Sequence, residues 1–346
     1  MKPPYKVPSL REINGLEHNG FNVISTFSGG GGSSTGYKMA NFRVLWANEF
    51  IPAAQETYRA NHPNTNLDTR DIRTVKPEEI LKAINLNEGE LDIFDGSPPC
   101  ASFSTAGKRE KGWGKEKSYS DSSQVTDDLF FEYVRLLRGL KPKTFIAENV
   151  SGLVKGTAKG YFKLILEELK KSGYRVSAKL LNAAWLGVPQ ARERLIFIGV
   201  REDLNRNPVF PKPFPYSYSL EDGLANLNNF IEPESWMSNN ATGREWNKLR
   251  VGEQSSKYFQ LVRCNPKSPV GTITASGGNP GLASISHPYE CRKFSIAETK
   301  RLCAFPEDYQ LTGNYAQRYE RMGRSVPPLM MKEIAKTVQT EILEKL

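Results

Sequence analysis

Asp95-Gly-Ser-Pro-Pro-Cys100-Ala-Ser-Phe-Ser104 sets one cysteine just behind an apolar run, Leu91 to Phe94, with two prolines directly ahead of it. Proline restricts the backbone, so the thiol is presented from few angles, and a thiolate is a strong nucleophile once its proton is lost. A buried structural cysteine uses the same letters. Two further clusters tip the reading toward chemistry. Glu148-Asn149-Val150 ends a second apolar run, and Gln190-Ala-Arg192-Glu-Arg194 leads into a third. A thiol, a carboxyl group and a guanidinium at successive strand ends suit nucleophilic attack on an aromatic heterocycle.

Such clusters need elements that bring them together. From about residue 21 to 200, short apolar runs alternate with helical periods, the pattern of a parallel α/β sheet. Strands are predicted over 21–27, 42–48, 91–94, 144–147, 175–181 and 195–200. Helices are predicted over 51–61, over 129–140 with apolar residues at 130, 133, 134 and 137, and around Phe162, Ile165, Leu166 and Leu169. The first strand runs into Ser28-Gly29-Gly30-Gly31-Gly32-Ser33-Ser34, directly ahead of a short helix. Glycines there let a ligand approach the backbone, and a helix N-terminus offers unpaired N–H groups; a tight structural turn is the alternative. The GxGxxG pyrophosphate spacing is not met, because Gly29 and Gly31 require glycine where Ser34 stands. Glu49 ends the second strand, where a carboxylate can accept hydrogen bonds from ribose hydroxyls. Asp71-Ile72 joins a carboxylate to an apolar neighbour that could hold an adenine. Together these describe an adenosine pocket without a phosphate clamp, which favours S-adenosylmethionine over NAD.

The chain has 346 residues, 25% of them charged, and a formal charge of +9. That length suits a catalytic domain plus a smaller one. The basic balance suits a polyanionic partner, although many basic enzymes bind no nucleic acid. No stretch is apolar enough to span a bilayer, and the first residues lack a signal-peptide core. Cys100, Cys264, Cys291 and Cys303 show no CxxC spacing, and with three histidines there is no zinc constellation. A reducing, cytoplasmic setting is expected, with no metal. A polar segment between Ala101 and Asp127 carries Lys108, Arg109, Lys111, Lys115 and Lys117, as a lid meeting phosphates would, or as a solvated charge run would. Residues 201–288 turn rich in Pro, Asn, Ser and aromatics and read as a loop-rich second domain. There Trp236, Trp246, Tyr258, Phe259, Arg244, Lys248, Arg250 and Lys257 suit groove or backbone contacts, or equally a small core with a solvated rim. Thr272 to Gly278 reads as a hinge or a base-reading loop. Helical patterns return over Ile296 to Cys303 and from Leu329 onward.

Phe27-Ser-Gly29-Gly-Gly31-Gly32, Glu49, Asp71-Ile72, Pro98-Pro99-Cys100, Glu148-Asn149-Val150 and Gln190-x-Arg192-x-Arg194 stand in the order and near the spacings of the C5-cytosine DNA methyltransferases. Arg292 to Pro306 and Gly323-Arg324-Ser325-Val326-Pro327-Pro328 resemble that family's two C-terminal motifs. The resemblance covers nearly all the chain outside about 201–288, where the family keeps a target-recognition domain. It implies a Rossmann-like S-adenosylmethionine-dependent methyltransferase sheet over 1–200, recognition over 201–288, and a segment 289–346 returning to the catalytic domain. The implied activity is methyl transfer to C5 of cytosine in a specific DNA sequence, by base flipping and a covalent Cys100–C6 intermediate.

In that reading Glu148 would hydrogen-bond the base, while Arg194, and less firmly Arg192, would steady a carbonyl or phosphate and favour the thiolate. Phe27 and Phe50 would flank the adenine, Glu49 would bind ribose, and Asp71 with Ile72 would hold the adenine edge. Ser28, Gly29, Gly31, Gly32, Pro99, Leu129, Ser325 and Val326 complete the implied cofactor side, and Ser104, Lys108, Arg109, Arg244 and Lys248 the DNA side. The implied setting is a cytoplasmic, nucleoid-associated prokaryotic monomer acting on double-stranded DNA away from membranes, with a cognate restriction endonuclease as a possible partner. Two departures stand out: Arg324 replaces the usual Asn, and Cys303-Ala-Phe-Pro replaces Gln-Gly-Phe-Pro. Three rivals stay open. One is the family's tRNA-directed branch. Another is a silent DNA-binding homologue, which intact Cys100, Glu148 and Arg194 oppose. The last is a nicotinamide oxidoreductase, which leaves Cys100 unexplained.

Overall fold

The apolar runs assemble into one seven-stranded sheet: β1 (Asn22–Thr26), β2 (Arg43–Asn48), β3 (Asn66–Asp68), β4 (Ile93–Gly96), β5 (Thr144–Val150), β6 (Tyr174–Asn182) and β7 (Glu193–Arg201), in the order β3-β2-β1-β4-β5-β7-β6. This computed structural model describes residues 2–99, 117–118, 123–124, 128–154, 159–238 and 240–346. Strands β1 to β5 pair in parallel, and β7 runs antiparallel to β5. The central strands are buried on both faces, which is why they read as unbroken apolar runs rather than alternating ones. At the edge, β6 alternates buried and exposed positions. Two elements of this sheet region lie outside those predicted: the short β3, and helix α4 (Pro77–Ile84), which packs Ile80, Leu81 and Ile84 on the core.

By internal packing the chain divides into two compact units. The sheet unit comprises Leu16–Leu181, Glu193–Lys212 and Lys332–Leu346. Its core forms where helix α5 (Leu129–Leu140) lays Phe130, Tyr133, Val134 and Leu137 against Phe94, Phe145, Leu195 and Phe197. The spacing predicted that face. Tyr133 stacks on Phe94 with ring centroids 4.4 Å apart, and its hydroxyl donates to the carbonyls of Phe94 (3.1 Å) and Ile146 (3.3 Å). This tight layer leaves no room at Gly96, where a Cβ would meet Thr26 Oγ1 and the Tyr133 ring, both at 2.6 Å. Gly96→Ala is therefore expected to destabilise the protein by about 1–3 kcal/mol, read as a lower urea midpoint at unchanged slope.

The second unit comprises Met1–Gly15, Asn182–Arg192 and Pro213–Met331. These limits differ from the expected boundaries at 200 and 288. The reason is a single apolar cluster in which Leu220, Val270, Ile273 and Ile285 pack with Phe294, Ile296, Leu302, Tyr315, Tyr319 and Met322. Helices α9 (Ile296–Leu302) and α10 (Tyr315–Arg324) thus belong with the loop-rich region, and only residues from Lys332 on group with the sheet. A buried ion pair supports α9: Arg292 Nη1 and Nη2 donate to Glu298 Oε2 (2.6 Å) and Oε1 (2.9 Å). Glu298 also accepts from the N–H of the N-cap Ser295 (2.7 Å), closing a capping box. Among the described residues no helix is long and apolar enough to cross a membrane.

Candidate active site

In an open parallel sheet, ligands bind beyond the carboxyl ends of the strands where the strand order reverses. Here that point lies between β1 and β4, whose last residues, Thr26 and Gly96, pair directly. The glycine run leaves β1, and Ser97-Pro98-Pro99 leaves β4 toward Cys100. On the far side of β4, β5 continues beyond its last pairing, Gly96 with Ala147, to carry Glu148, Asn149 and Val150. Asn149 Nδ2 donates to the Pro98 carbonyl (3.3 Å), tying the two exits together.

Antiparallel β7 enters beside that end, with Arg194 opposite Val150 and Ile196 opposite Glu148. Residues paired this way share one sheet face, so Glu148 and Arg194 are diagonal neighbours. Arg194 Nε donates to Glu148 Oε1 at 2.8 Å, and both side chains are largely buried. Burial pulls the Arg194 guanidinium below its ordinary pKa, while the Glu148 carboxylate works against that shift. Arg192, two residues earlier, goes elsewhere. It is 1% exposed and donates from Nη1 to the Ile273 carbonyl (3.0 Å) and from Nη2 to the Gly323 carbonyl (2.9 Å). Gln190 likewise donates to the Leu302 carbonyl (3.1 Å) and accepts from the Ile273 N–H (3.1 Å). The motif's first two side chains are structural ties within the second unit, and Arg194 alone of the three joins Glu148.

The cofactor candidates of the sheet unit surround the glycine run. Phe27, Gly29 and Gly31 all have positive φ, at 54°, 54° and 89°. A Cβ at Gly29 would point into open space. Gly31 caps helix α2 (Gly32–Met39) without a side-chain hydrogen bond. Glu49 is buried: its Oε2 accepts from Gly29 N–H and its Oε1 from Ile51 N–H, both at 2.7 Å. Each carboxylate oxygen can accept more than one hydrogen bond, so this brace is compatible with a ribose. Phe27 and Phe50 are half-buried, Ile72 is buried, and Asp71 caps a short turn through Arg73 N–H (3.0 Å) while pairing with the Arg73 guanidinium. Pro99 is half-buried, and Leu129 is sunk in the core. An acid braced at a strand end beside an open glycine loop fits the ribose of an adenosine cofactor.

One residue that the motif reading passed over stands beneath this loop. Asp95 is fully buried in β4, accepting from Ser25 Oγ (2.8 Å) and Tyr37 Oη (3.0 Å). The signal available was an acid inside the otherwise apolar run Ile93-Phe94-Asp95-Gly96.

In the second unit Val326 is buried and Ser325 ends α10, its hydroxyl donating to the Arg321 carbonyl (2.6 Å). Arg324, which stands in place of the usual Asn, points to Glu320, with Nε 2.8 Å from Oε1. Arg244 and Lys248 are exposed. The stretch after Thr272 is packed rather than loose: Gly277 and Gly278 lie so close to Tyr319 that a Cβ on either would overlap its atoms. Burial pushes the thiols of Cys264 and Cys303 up to about 12 and about 11, which makes them inert. Cys100, Ser104, Lys108 and Arg109 lie outside the described residues.

Comparison with known proteins agrees with this layout. Solved structures share the fold: a prophage-encoded E. coli protein described as a DNA modification methyltransferase (TM-score 0.75, 21% identity, 93% of this chain and 99% of that one) and DNMT2 of Spodoptera frugiperda (0.68, 20%, 92% and 99%). In sequence the chain is 30% identical to type II methyltransferase M.Sau96I of Staphylococcus aureus, over 96% of this chain and 79% of that protein. It is 31% identical to type II methyltransferase M.FnuDI of Fusobacterium nucleatum, over 93% and 95%. The family model for C-5 cytosine-specific DNA methylases matches residues 21–340, so a chain with these strand-end motifs belongs to that family and methylates C5 of cytosine in DNA.

Proposed function

We propose that this methyltransferase acts within a short recognition sequence of duplex DNA, with Cys100 as nucleophile and S-adenosylmethionine as methyl donor. The observation that carries the residue assignment is the Glu148–Arg194 pair at the end of β5, next to the strand that leads to Cys100. Cytosine C5 is too weak a nucleophile to take a methyl group unaided. Addition of the Cys100 thiolate to C6 places electron density on C5 as an enamine, and Glu148 hydrogen-bonds N3 and the exocyclic amine to offset the charge. Arg194 holds Glu148 by Oε1, leaving Oε2 to the base. The cofactor, when bound, supplies an electrophilic methyl carried on a sulfonium. After transfer a base removes the C5 proton, the electron pair of that bond restores the ring, and the thiolate leaves C6. Because C5 is buried in a duplex, the cytosine must be flipped out of the stack.

Phe27, Ser28, Gly29, Gly31, Gly32, Glu49, Phe50, Asp71, Ile72, Pro99, Leu129, Ser325 and Val326 form the cofactor side of this reading. Residues 201–288 recognise DNA, with Arg244 and Lys248 on phosphates and Ser104, Lys108 and Arg109 on the loop after Cys100. The protein works as a monomer in the cytoplasm beside the nucleoid, in a restriction-modification context. Glu49→Ala removes charged hydrogen bonds worth about 1.5–3 kcal/mol. Calorimetry is therefore expected to show S-adenosylmethionine binding about 10–100-fold more weakly.

Nucleoside mass spectrometry tests the whole reading, on cells expressing the chain or its Cys100→Ala variant, with DNA and tRNA analysed separately. New 5-methyldeoxycytidine in DNA, lost with Cys100→Ala, is the expected result. A Cys100-dependent rise confined to tRNA would overturn the DNA assignment.

A further inference from the structure

We propose that Phe259 is a wedge that the second unit drives into the base stack of duplex DNA, filling the space that the target cytosine leaves. This rests on the reading of residues 201–288 as the DNA-recognition region. Among the described residues Phe259 is the most exposed large apolar side chain, at 83%. Ser256 and Lys257 beside it are also exposed, and Gln260 is half-buried. A protein partner is met by contiguous apolar surface, and one ring set among polar side chains offers little of that. It suits a gap between bases, where an apolar face is wanted and polar groups are wanted around it.

The ring stands on a fixed turn. Ser255 is buried, and its N–H donates to the Leu261 carbonyl (2.9 Å). Its Oγ accepts from the N–H groups of Lys257 and Tyr258 (both 3.0 Å) and donates to Glu245 Oε1 (3.0 Å) on helix α8 (Ala241–Trp246). Gln254 Nε2 donates to the Phe259 carbonyl, and Leu261 N–H to the Tyr258 carbonyl (2.7 Å). Leu261 is buried with Met237, Trp246 and Leu249, and Tyr258 packs on the same cluster. The backbone beneath Phe259 is thus held on both sides, so inserting the ring orders little chain.

Pairing register sets a second loop beside this turn. The short strands Val262–Arg263 and Ile285–Ser286 run parallel, with Val262 opposite Ile285. Both chains therefore enter the ribbon from one end, where Phe259 precedes the first strand and Asn279 to Leu282 precede the second. The second loop is braced too: buried Lys293 donates from Nζ to the Asn279 carbonyl (2.6 Å), while Leu282 is 47% exposed. Lys257, its ammonium 5.3 Å over the Tyr258 ring, puts a cation two residues from the wedge, within the turn that a phosphate would meet. Apolar tips on rigid supports flanked by cations are how proteins part base steps. A flipped cytosine leaves its neighbours unstacked and its guanine alone, and an aromatic ring in the gap restores stacking.

The test uses the full chain and a duplex carrying its methylation site, as read by bisulfite sequencing of modified DNA. Affinity is compared for that duplex with the target cytosine paired to guanine, and with it opposite an abasic site, where no pair has to open. Phe259→Ala is expected to weaken binding about 10–100-fold on the paired duplex and about threefold or less on the abasic one. Its urea midpoint should match the wild type, since the ring is exposed. Phe259→Trp is expected to restore binding to the paired duplex. With 2-aminopurine at the target position, the wild type should brighten the probe and Phe259→Ala leave it dim. Equal losses on both duplexes would assign the ring to backbone contact and overturn the proposal. No loss on either would overturn it too, and a Phe259→Ala variant that only breaks a dimer on gel filtration would give the ring to a second copy instead. A wild type that modifies no duplex DNA would overturn the recognition reading and this inference with it.

Discussion

Glu148→Gln is expected to lower the methylation rate by about 10²–10³-fold, the cost of removing one preorganised electrostatic partner of a transition state, while DNA affinity stays within about threefold. The substitution keeps the side-chain shape, and Arg194 Nε can still donate to the new amide oxygen over the 2.8 Å contact. In the proposed mechanism the loss is the oxygen given to the base, replaced by an NH₂ that meets another amine. Arg194 acts through Glu148, so Arg194→Ala should cost much of the same rate, and the double variant far less than the product of the two. Single-turnover methyl transfer with saturating DNA reads this directly. Independent, multiplying losses would mean that Arg194 contacts DNA or base itself. Arg192 supplies the contrast: with its guanidinium on the Ile273 and Gly323 carbonyls, Arg192→Leu should show in unfolding curves of the protein.

Arg292→Met is expected to destabilise the protein by about 3–5 kcal/mol, because it strands a buried carboxylate. Arg292 and Glu298 are 1% and 4% exposed, and the guanidinium meets the carboxylate with two parallel hydrogen bonds while also reaching Glu290. Burial alone would push the Glu298 carboxyl up, yet the Arg292 hydrogen bonds and charge hold it below its ordinary value. A carboxyl depressed in the folded state adds stability that is fully present above its unfolded pKa and is lost as pH falls through the folded one. The gap between Arg292→Met and wild type should therefore be widest near neutrality and narrow in acid. Adding Glu298→Leu should recover part of the loss, but not all, since the Ser295 N–H then loses its acceptor. A urea series at several pH values measures both effects. A loss under about 1 kcal/mol at neutral pH would show that the pair is not a structural support.

Much of the sheet unit is legible from the residues alone. Continuous apolar runs such as those of β5 and β7 announce strands buried on both faces, and Phe130, Tyr133, Val134 and Leu137 mark the buried face of α5 by spacing. Glycine and acid at strand ends mark the site because those positions are local: a turn with positive φ, a carboxylate one residue past a strand. The three-residue β3, held mainly by its neighbours, carries no such signature. Nor does local pattern tell that Phe294 and Tyr319 pack with Val270 and Ile273, while the residues from Lys332 on group with the sheet.

By itself, then, the sequence determined the order of strands and helices and the residue types at their ends, since these follow from periodicity and backbone preference within a few residues. Only the tertiary structure decided which of two arginines serves the carboxylate. Arg192 and Arg194 share chemistry and lie on the same side of an extended chain, and nothing local separates them. The antiparallel register of β7 on β5 does, by setting Arg194 beside Glu148 while the backbone carbonyls of Ile273 and Gly323 claim Arg192. The same holds for Asp95, an unremarkable letter in a strand until Ser25 and Tyr37, 70 and 58 residues away in sequence, close over it and remove the water that would keep it an ordinary acid.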